Sequence, residues 1–537
     1  MSLKNFNIVK KIVTIFFVII FCFLLLSPLV TMITTTAPPP VPIFENRMIS
    51  EKPDFKKLPL EQWSNGIETY LADNLGYRSQ MISWYMKLWE FVLATNVRYF
   101  VKGKKDEFFP NFSKAPTVQS YLGLTSISQK DIRLFQIIAA GTQAFWELNG
   151  VNYLMVMAPD KTTLNPELLP PLLSRLPAKS KSMQIDNVLR NSPVNFLNLN
   201  LSLKKNKSTA NPFNKKFDTV HWNGYGLETA YKEICKAIAK ENIPALQPKP
   251  RGIHYNIVPK EVQVGIFGRE TIPWMEILHT DELKVIPNDF APDVYLPWQK
   301  ADLIHNKKRA QGRLLFITDS YFKNTHQNKL PGSSGSIFPL AHHFQAYLHM
   351  HCGYLTLTEM RQILKVFKPE TVIYAFAERQ APPDMNYYEE YLLMLGDIYL
   401  NNTSIILAPA ERIEKAIISS NCQITKGKDK VKFTAGKKVA YMQLSPVVSD
   451  VTGRVVVIAK LLSPVDTVAQ LFFAQREQKF SKSRSIRQSI KKGENYLHLP
   501  AYGKPNEPIK LYLLFGVAPK EYQFLPIPEL YSIKDLR

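Results

Sequence analysis

The segment that most constrains this chain is Leu314-Leu315-Phe316-Ile317, an apolar run that stops abruptly at Thr318-Asp319-Ser320. A short apolar run closed by small polar residues reads as a buried strand feeding a tight turn. That sets Ser320 at the C-terminal edge of a strand, where open α/β sheets build their sites. Ser320 is therefore a candidate nucleophile, and it needs a base. The best candidate lies upstream in Phe217-Asp218-Thr219-Val220-His221-Trp222-Asn223-Gly224. There a carboxylate and an imidazole stand three residues apart on what reads as a turn entering a helix. One turn can aim both side chains at each other, so Asp218 can orient the ring while its far nitrogen takes a proton from a serine.

The sequence between these stretches has a βαβ rhythm. Ser128 reads as a helix cap, Ile132, Phe135, Ile138, Ala139 and Phe145 recur at helical spacing, and Asn149-Gly150 ends the helix. A strand is expected at 151–157. A helix follows the His221 stretch, with Leu227, Ala230, Tyr231, Ile234 and Ile238 on one face. After the Ser320 strand come a Gly/Ser loop at 332–336, a helix at 358–367, and strands at 371–376 and 404–407. Earlier, residues 81–93 also show helical spacing. Alternating strands and helices predict a parallel sheet covered on both faces. Beyond about residue 415 the helical period disappears and strands at 455–461, 471–474, 496–499 and 509–515 alternate with turn residues, which predicts an all-β sandwich.

Residues 12–33 form an almost uninterrupted apolar run, long enough for a helix to cross a bilayer. Lys4, Lys10 and Lys11 precede it, so the positive-inside tendency keeps the tip cytoplasmic and exports the rest. The run is long for a cleaved signal peptide, and no small-x-small site follows it. The expected units are a tip and anchor at 1–34, a Pro-rich spacer at 35–43, an α/β domain at 44–414 and a β-sandwich at 415–537. The net charge of +22 over 537 residues implies anionic surroundings. In an exported chain that argues against nucleic acid and for acidic glycan or lipid head groups. Of the four cysteines, Cys22 lies in the apolar run, so Cys235, Cys352 and Cys422 allow at most one internal disulfide.

A set of short motifs in order resembles the AlgJ/AlgX-type alginate O-acetyltransferase family, a circularly permuted branch of the SGNH hydrolases. They are Glu45-Asn46-Arg47, Tyr70 through Arg78, Val101 through Asp106, Ala158-Pro159-Asp160-Lys161, Asp218 through Asn223, Asp319-Ser320 and Ala377-Glu378-Arg379. The resemblance implies an SGNH-like fold over roughly residues 44 to 410, with Ser320 as nucleophile, His221 as general base and acid, and Asp218 orienting His221. It implies Tyr321 and Arg379 as substrate or oxyanion candidates, an exported polysaccharide as acceptor, and a multispanning membrane protein as acetyl donor. The apolar run, expected as an inner-membrane anchor with the catalytic part in the periplasm or outside the cell, fits that arrangement, and no cofactor is expected. Two departures stand out. The family usually places one residue between Asp and His, where Thr219 and Val220 both intervene, and its usual glycine before Asp-Ser is Thr318. The same residues could serve a polysaccharide O-acetylesterase, with water as acceptor. A non-catalytic glycan-binding or assembly protein is the reading from a different class.

Two further clusters need an account. Residues 476–492 hold seven basic side chains against the single acid Glu477, and Arg484, Arg487 and Lys491 are candidate contacts to an anionic glycan. His342, His343, His349 and His351, with Cys352, crowd one stretch without any regular metal-ligand frame, and that stretch reads as a helix following the serine loop.

Overall fold

The structure, a computed structural model, describes residues 3–533 apart from 35–49, 56–61, 79–80, 82–99, 287–301, 323–338, 352–355, 381–388, 401–404, 407–415 and several shorter stretches, Ser320 among them. The expected spacer, nearly all of the expected helix at 81–93, and the Gly/Ser loop at 332–336 lie outside the described residues.

Helix α1 (Leu3–Thr34) contains the apolar run. Its segment Thr14–Met32 has a mean hydropathy of 2.8 and, among the described residues, is the one helix long and apolar enough to cross a membrane. Helix α2 (Trp63–Asn74) and a small antiparallel pair, β1 (Phe100–Lys102) and β2 (Phe108–Pro110), precede the main sheet.

Helix α3 (Gln129–Leu148) starts where Ser128 Oγ accepts the Asp131 amide at 3.1 Å, and Gly150 at φ 71° turns the chain out of it. Then come β3 (Asn152–Ala158), α4 (Lys181–Arg190), β4 (Phe196–Asn198) and α5 (Gly224–Ala239). A long hairpin follows, β5 (Tyr255–Gln263) with β6 (Arg269–Ile277), then β7 (Leu283–Ile286), β8 (Asp302–Asn306), β9 (Arg313–Thr318) and β10 (Ala346–His351). Helix α6 (Leu357–Val366), β11 (Thr371–Ala377) and α7 (Glu390–Tyr399) complete this part. The main sheet has the order β4-β3-β11-β9-β10-β8-β7. The strands from β4 to β10 pair in parallel, whereas β8 and β7 run antiparallel at one edge. The all-parallel expectation is corrected at that edge.

Both faces of the sheet are covered. Leu315 and Ile317 of β9 join Met155 and Met157 of β3 in a core under α3, α6 and α7, while Leu314 and Phe316 join Leu154 and Val156 in a second core under α5. This is why the strands read as continuous apolar runs rather than alternating ones. Helices α3 and α7 touch backbone to backbone, since a Cβ on Gly141 would meet the Leu392 carbonyl oxygen at 1.8 Å and one on Gly396 the Ile137 carbonyl oxygen at 1.8 Å. The stretch expected as a helix around His342 to His351 is instead a short 3₁₀ turn, Pro339–His343, followed by β10. Filling the place between β9 and β8 in the ladder outweighs local preference there.

The C-terminal part contains β12 (Ile405–Ile406), β13 (Ile417–Ser420), β14 (Cys422–Lys426), β15 (Val431–Ala435), β16 (Ala440–Val448) and β17 (Arg454–Ser463). It continues with β18 (Thr467–Gln475), β19 (Ser485–Ile490), β20 (Gly493–Tyr502), β21 (Pro508–Phe515) and β22 (Glu521–Leu525). One sheet runs β12-β17-β22-β15-β14, with β20 also on β17, and the other runs β13-β16-β21-β18-β19. Their inward residues, among them Phe433, Val457, Leu499, Met442, Leu471 and Leu513, form one core, as in a sandwich. Strand β12, expected as the last member of the α/β series, pairs instead with β17, Ile405 opposite Val457. The outward residues Val456 and Ile458 of β17 belong to the core under α3 and α7, so the sandwich packs on the α/β part. At that contact Arg454 donates to both oxygens of Asp397 on α7, at 2.6 and 3.0 Å, and His498 pairs with the same carboxylate. Burial alone would raise the Asp397 carboxyl, but Arg454 and His498 outweigh it and hold it below its ordinary value.

Candidate active site

The chain reaches the candidate acid–imidazole pair through Asn214 to Phe217, then enters a tight turn in which Asp218 has φ 43°. That is a left-handed conformation uncommon for a residue other than glycine and is concentrated at functional sites. The His221 amide donates to the Asp218 carbonyl at 3.2 Å, closing the turn. It also brings His221 Nδ1 to 2.7 Å from Asp218 Oδ1. With Nδ1–H donating to the carboxylate, Nε2 becomes the nitrogen that takes a proton. Trp222 is buried, Asn223 Oδ1 accepts the Tyr225 amide at 3.0 Å, and α5 begins at Gly224. The two residues between Asp218 and His221 do not prevent the pair from forming.

Ser320 itself lies outside the described residues, but both of its neighbours are placed. Asp319 is fully buried; its Oδ1 accepts the Tyr321 amide at 2.8 Å and its Oδ2 the Ala377 amide at 2.7 Å. The carboxylate thus ties the turn after β9 to the end of β11. Tyr321 lies against the other half of the site, its ring 5.9 Å from the His221 ring and 4.8 Å from that of Trp222, both edge-on. The two sequence stretches therefore meet. Thr318, at the position where a glycine is usual, directs its hydroxyl to His349 Nε2 at 2.7 Å.

The remaining candidates separate into two groups. Arg379 is buried under the Tyr321 ring, 4.9 Å from its centroid, and donates through Nη1 to Asp160 Oδ1. The Tyr321 hydroxyl donates to the Pro159 carbonyl at 2.8 Å. Next to this pair the Glu378 carboxyl is pushed up to about 8 by burial, with Asp160 adding to the effect, and Thr163 donates to it. Arg484, Arg487 and Lys491 are placed away from this cluster, on the turn before β19, on β19, and just after it. Arg484 donates to the Lys479 carbonyl at 2.6 Å, and Lys491 lies 3.5 Å from Asp466.

Of the histidine cluster, His342 and His343 pack with His254, at ring-centroid distances of 4.7 and 5.0 Å, whereas His349 turns to Thr318. No group of three or more His, Cys, Asp or Glu side chains among the described residues could hold a metal ion.

Sequence reasoning did not find Asp160 as the partner of Arg379. The link is the strand order, which the sequence does not show: β3 and β11 are parallel neighbours with Ala158 opposite Ala377, and each is followed by one member of the pair.

Residues 128–268 match the family model described as SGNH hydrolase-like domain, acetyltransferase AlgX. The match includes Asp218 and His221 and ends before Ser320. The resemblance to the AlgJ/AlgX-type family drawn from the motifs holds in it, and it points to an acetyltransferase of the SGNH-like type. Similar solved structures include PatB1 from Bacillus cereus, 14% identical over 48% of this chain and 92% of that one, TM-score 0.36. The O-acetyltransferase domain of AlgJ from Pseudomonas putida is 16% identical over 56% of this chain and 99% of that one, TM-score 0.33. AlgX from Pseudomonas aeruginosa is 12% identical over 79% of this chain and 96% of that one, TM-score 0.31. At TM-scores this low these likenesses carry no weight for function. No curated protein matches by sequence.

Proposed function

For a chain of the AlgJ/AlgX type, we propose an O-acetyltransferase acting on an exported polysaccharide through Ser320, His221 and Asp218. The observation that carries this is the Asp218–His221 pair packed against Tyr321, the residue that follows the serine. In the first half-reaction Ser320 Oγ attacks the acetyl carbonyl of a donor ester while its proton passes to His221 Nε2. The bond from the acetyl carbon to the donor oxygen then breaks, and that oxygen leaves with the proton. In the second half a sugar hydroxyl gives its proton to Nε2, its oxygen bonds to the acetyl carbon, and Ser320 Oγ leaves and is reprotonated. Asp218 holds the Nδ1 proton in place and stabilises the charged ring that forms in each half. The tetrahedral oxyanion calls for hydrogen-bond donors other than the amides of Asp319 and Tyr321, which are spent on the Ala375 carbonyl and on Asp319 Oδ1.

Tyr321 and Arg379 have their polar atoms directed inward, to Pro159 and Asp160, which favours support of the nucleophile turn over direct contact with substrate. The apolar helix α1 serves in this reading as an inner-membrane anchor. It keeps the catalytic part on the far side of the membrane, beside a multispanning protein that delivers acetyl groups. Arg484, Arg487 and Lys491 on the sandwich supply cationic contacts to an anionic polymer.

The test is the intact mass of the purified full chain after incubation with an activated acetyl ester and then with a polysaccharide acceptor. An acetyl adduct on Ser320, lost in Ser320→Ala and His221→Ala and discharged onto sugar, supports the transferase. Discharge onto water alone supports an esterase with the same residues. Absence of an adduct in the wild-type chain leaves a glycan-binding or assembly role.

A further inference from the structure

The segment that delivers Asp218 is held from two opposite sides. On one side the Lys161 ammonium is fully buried and donates to the carbonyls of Phe108, Asn214 and Lys215 at 2.9, 2.6 and 3.0 Å, and it pairs with Glu107 at 2.7 Å. On the other side Glu270, on β6, takes three successive amides. Its Oε1 accepts Lys215 N–H at 2.7 Å, and its Oε2 accepts Lys216 N–H at 3.0 Å and Phe217 N–H at 2.8 Å. A carboxylate receiving several backbone amides is a charge-assisted arrangement stronger than ordinary pairing. With the carbonyls on Lys161 and the amides on Glu270, the peptide groups before Asp218 cannot rotate freely.

The hairpin that carries Glu270 reaches the catalytic turn at two more points. The Phe217 side chain packs with Val264, Ile272 and Trp274 of the hairpin. Beyond His221, Gly224 opens α5 so close to the hairpin that a Cβ there would lie 3.0 Å from both Met275 N and Pro273 O. The hairpin thus grips the chain both before Asp218 and after His221. An unfavourable φ at Asp218 persists only where the surroundings over-determine it, and these contacts do so.

We propose that Glu270 is a positioning residue for the Asp218–His221 pair, acting through the three amides of residues 215–217 with Lys161 as its counterpart. The proposal rests on the acetyl-transfer reading above. Glu270 touches no reacting atom; it fixes the direction in which Asp218 presents its carboxylate. A displacement of about 1 Å there is enough to slow a proton transfer strongly.

The experiment uses the full chain as wild type, Glu270→Gln, Glu270→Ala and the hairpin control Arg269→Ala, whose pair with Glu261 lies at the surface. Two quantities are measured, the rate of acetyl-adduct formation as a function of activated-ester concentration, and hydrogen exchange of the amides at 215–217. In Glu270→Gln one end of the side chain becomes an NH₂ that faces N–H donors. The expected result is a maximal acetylation rate lower by about tenfold or more. The half-saturating ester concentration stays within about twofold, exchange at 215–217 is faster, and Arg269→Ala behaves as wild type. Faster exchange with an unchanged rate would overturn the proposal, as would an unchanged exchange rate or an equal slowing in Arg269→Ala. If the wild-type chain takes up no acetyl group, it is the enzymatic reading that falls, and exchange at 215–217 still decides whether Glu270 holds the turn.

Discussion

The Tyr321 ring meets the His221 imidazole edge-on, with centroids 5.9 Å apart, while its hydroxyl is spent on the Pro159 carbonyl at 2.8 Å. One side chain therefore joins three βα edges: the turn after β9, the entry to α5 and the end of β3. The ring and the hydroxyl have separable tasks. Tyr321→Phe keeps the contacts with His221, Trp222 and Arg379 and leaves one buried carbonyl without its donor, a cost of about 1 to 3 kcal/mol. Tyr321→Ala also removes the ring, at about 3 to 5 kcal/mol. Thermal unfolding with ester turnover distinguishes them: near-wild-type turnover in the Phe variant, and a large loss in the Ala variant. Equal losses in both would assign the hydroxyl the principal task.

Asp218→Asn tests the pair itself. An amide can turn its NH₂ toward Nδ1, which stabilises the ring with its proton on Nε2 and leaves no acceptor for the serine proton. In a serine triad this costs on the order of 10⁴ in rate. We expect a loss of about that size in acetyl-adduct formation, with the fold retained by circular dichroism. A loss below about tenfold would mean that Asp218 is not the residue that orients His221.

The helix at α3, the strands β3, β9 and β11 and the Asp-x-x-His turn are legible because each has a local signature: a cap, a continuous apolar run, or an acid and an imidazole at short spacing. The hairpin β5–β6 and the edge strands β7 and β8 are not, since they carry neither a tight turn dipeptide nor a long apolar run. Glu270 could not be read at all. Its partners are backbone amides of a distant segment, and any sequence at 215–217 other than proline supplies those. The Asp160–Arg379 pair was within reach, but only once β3 and β11 are known to be neighbours.

The docking of the sandwich offers a third test. Asp397, on α7, is buried between Arg454 of β17 and His498 of β20. Removing its charge leaves a buried guanidinium without its carboxylate, a loss of about 3 to 5 kcal/mol. Asp397→Asn is expected to lower the unfolding midpoint in urea and to expose the contact between α7 and the sandwich to protease at concentrations where the wild-type chain stays intact. A variant as stable as wild type would show that the apolar contacts of Val456 and Ile458 suffice to dock the sandwich.

The buried histidines make stability depend on pH. His254 and His342 are pushed down to about 4 and His343 to about 3, chiefly by burial; His342 adds to the depression at His254 across the stacked rings, His279 adds to it at His342, Arg309 adds to it at all three, and Lys249 adds to it at His254 and His343. Glu282 acts in the opposite sense on His254 and His342 without reversing it. The unfolded chain takes up protons on these rings as the pH falls through the ordinary value of 6.5, whereas the folded chain keeps them neutral until about 4. Stability is thus at its full value above about pH 6.5 and declines from there toward pH 4. Urea unfolding at pH 7.5, 6 and 5 should show this decline in the wild-type chain. In His342→Gln the decline should be shallower, since one of the three rings no longer titrates. Tyr231 donates its hydroxyl proton to, or accepts one from, His343 Nε2 at 2.6 Å, so His343 is the wrong position for this test. Parallel curves for wild type and His342→Gln would assign the acid sensitivity to the carboxylates instead.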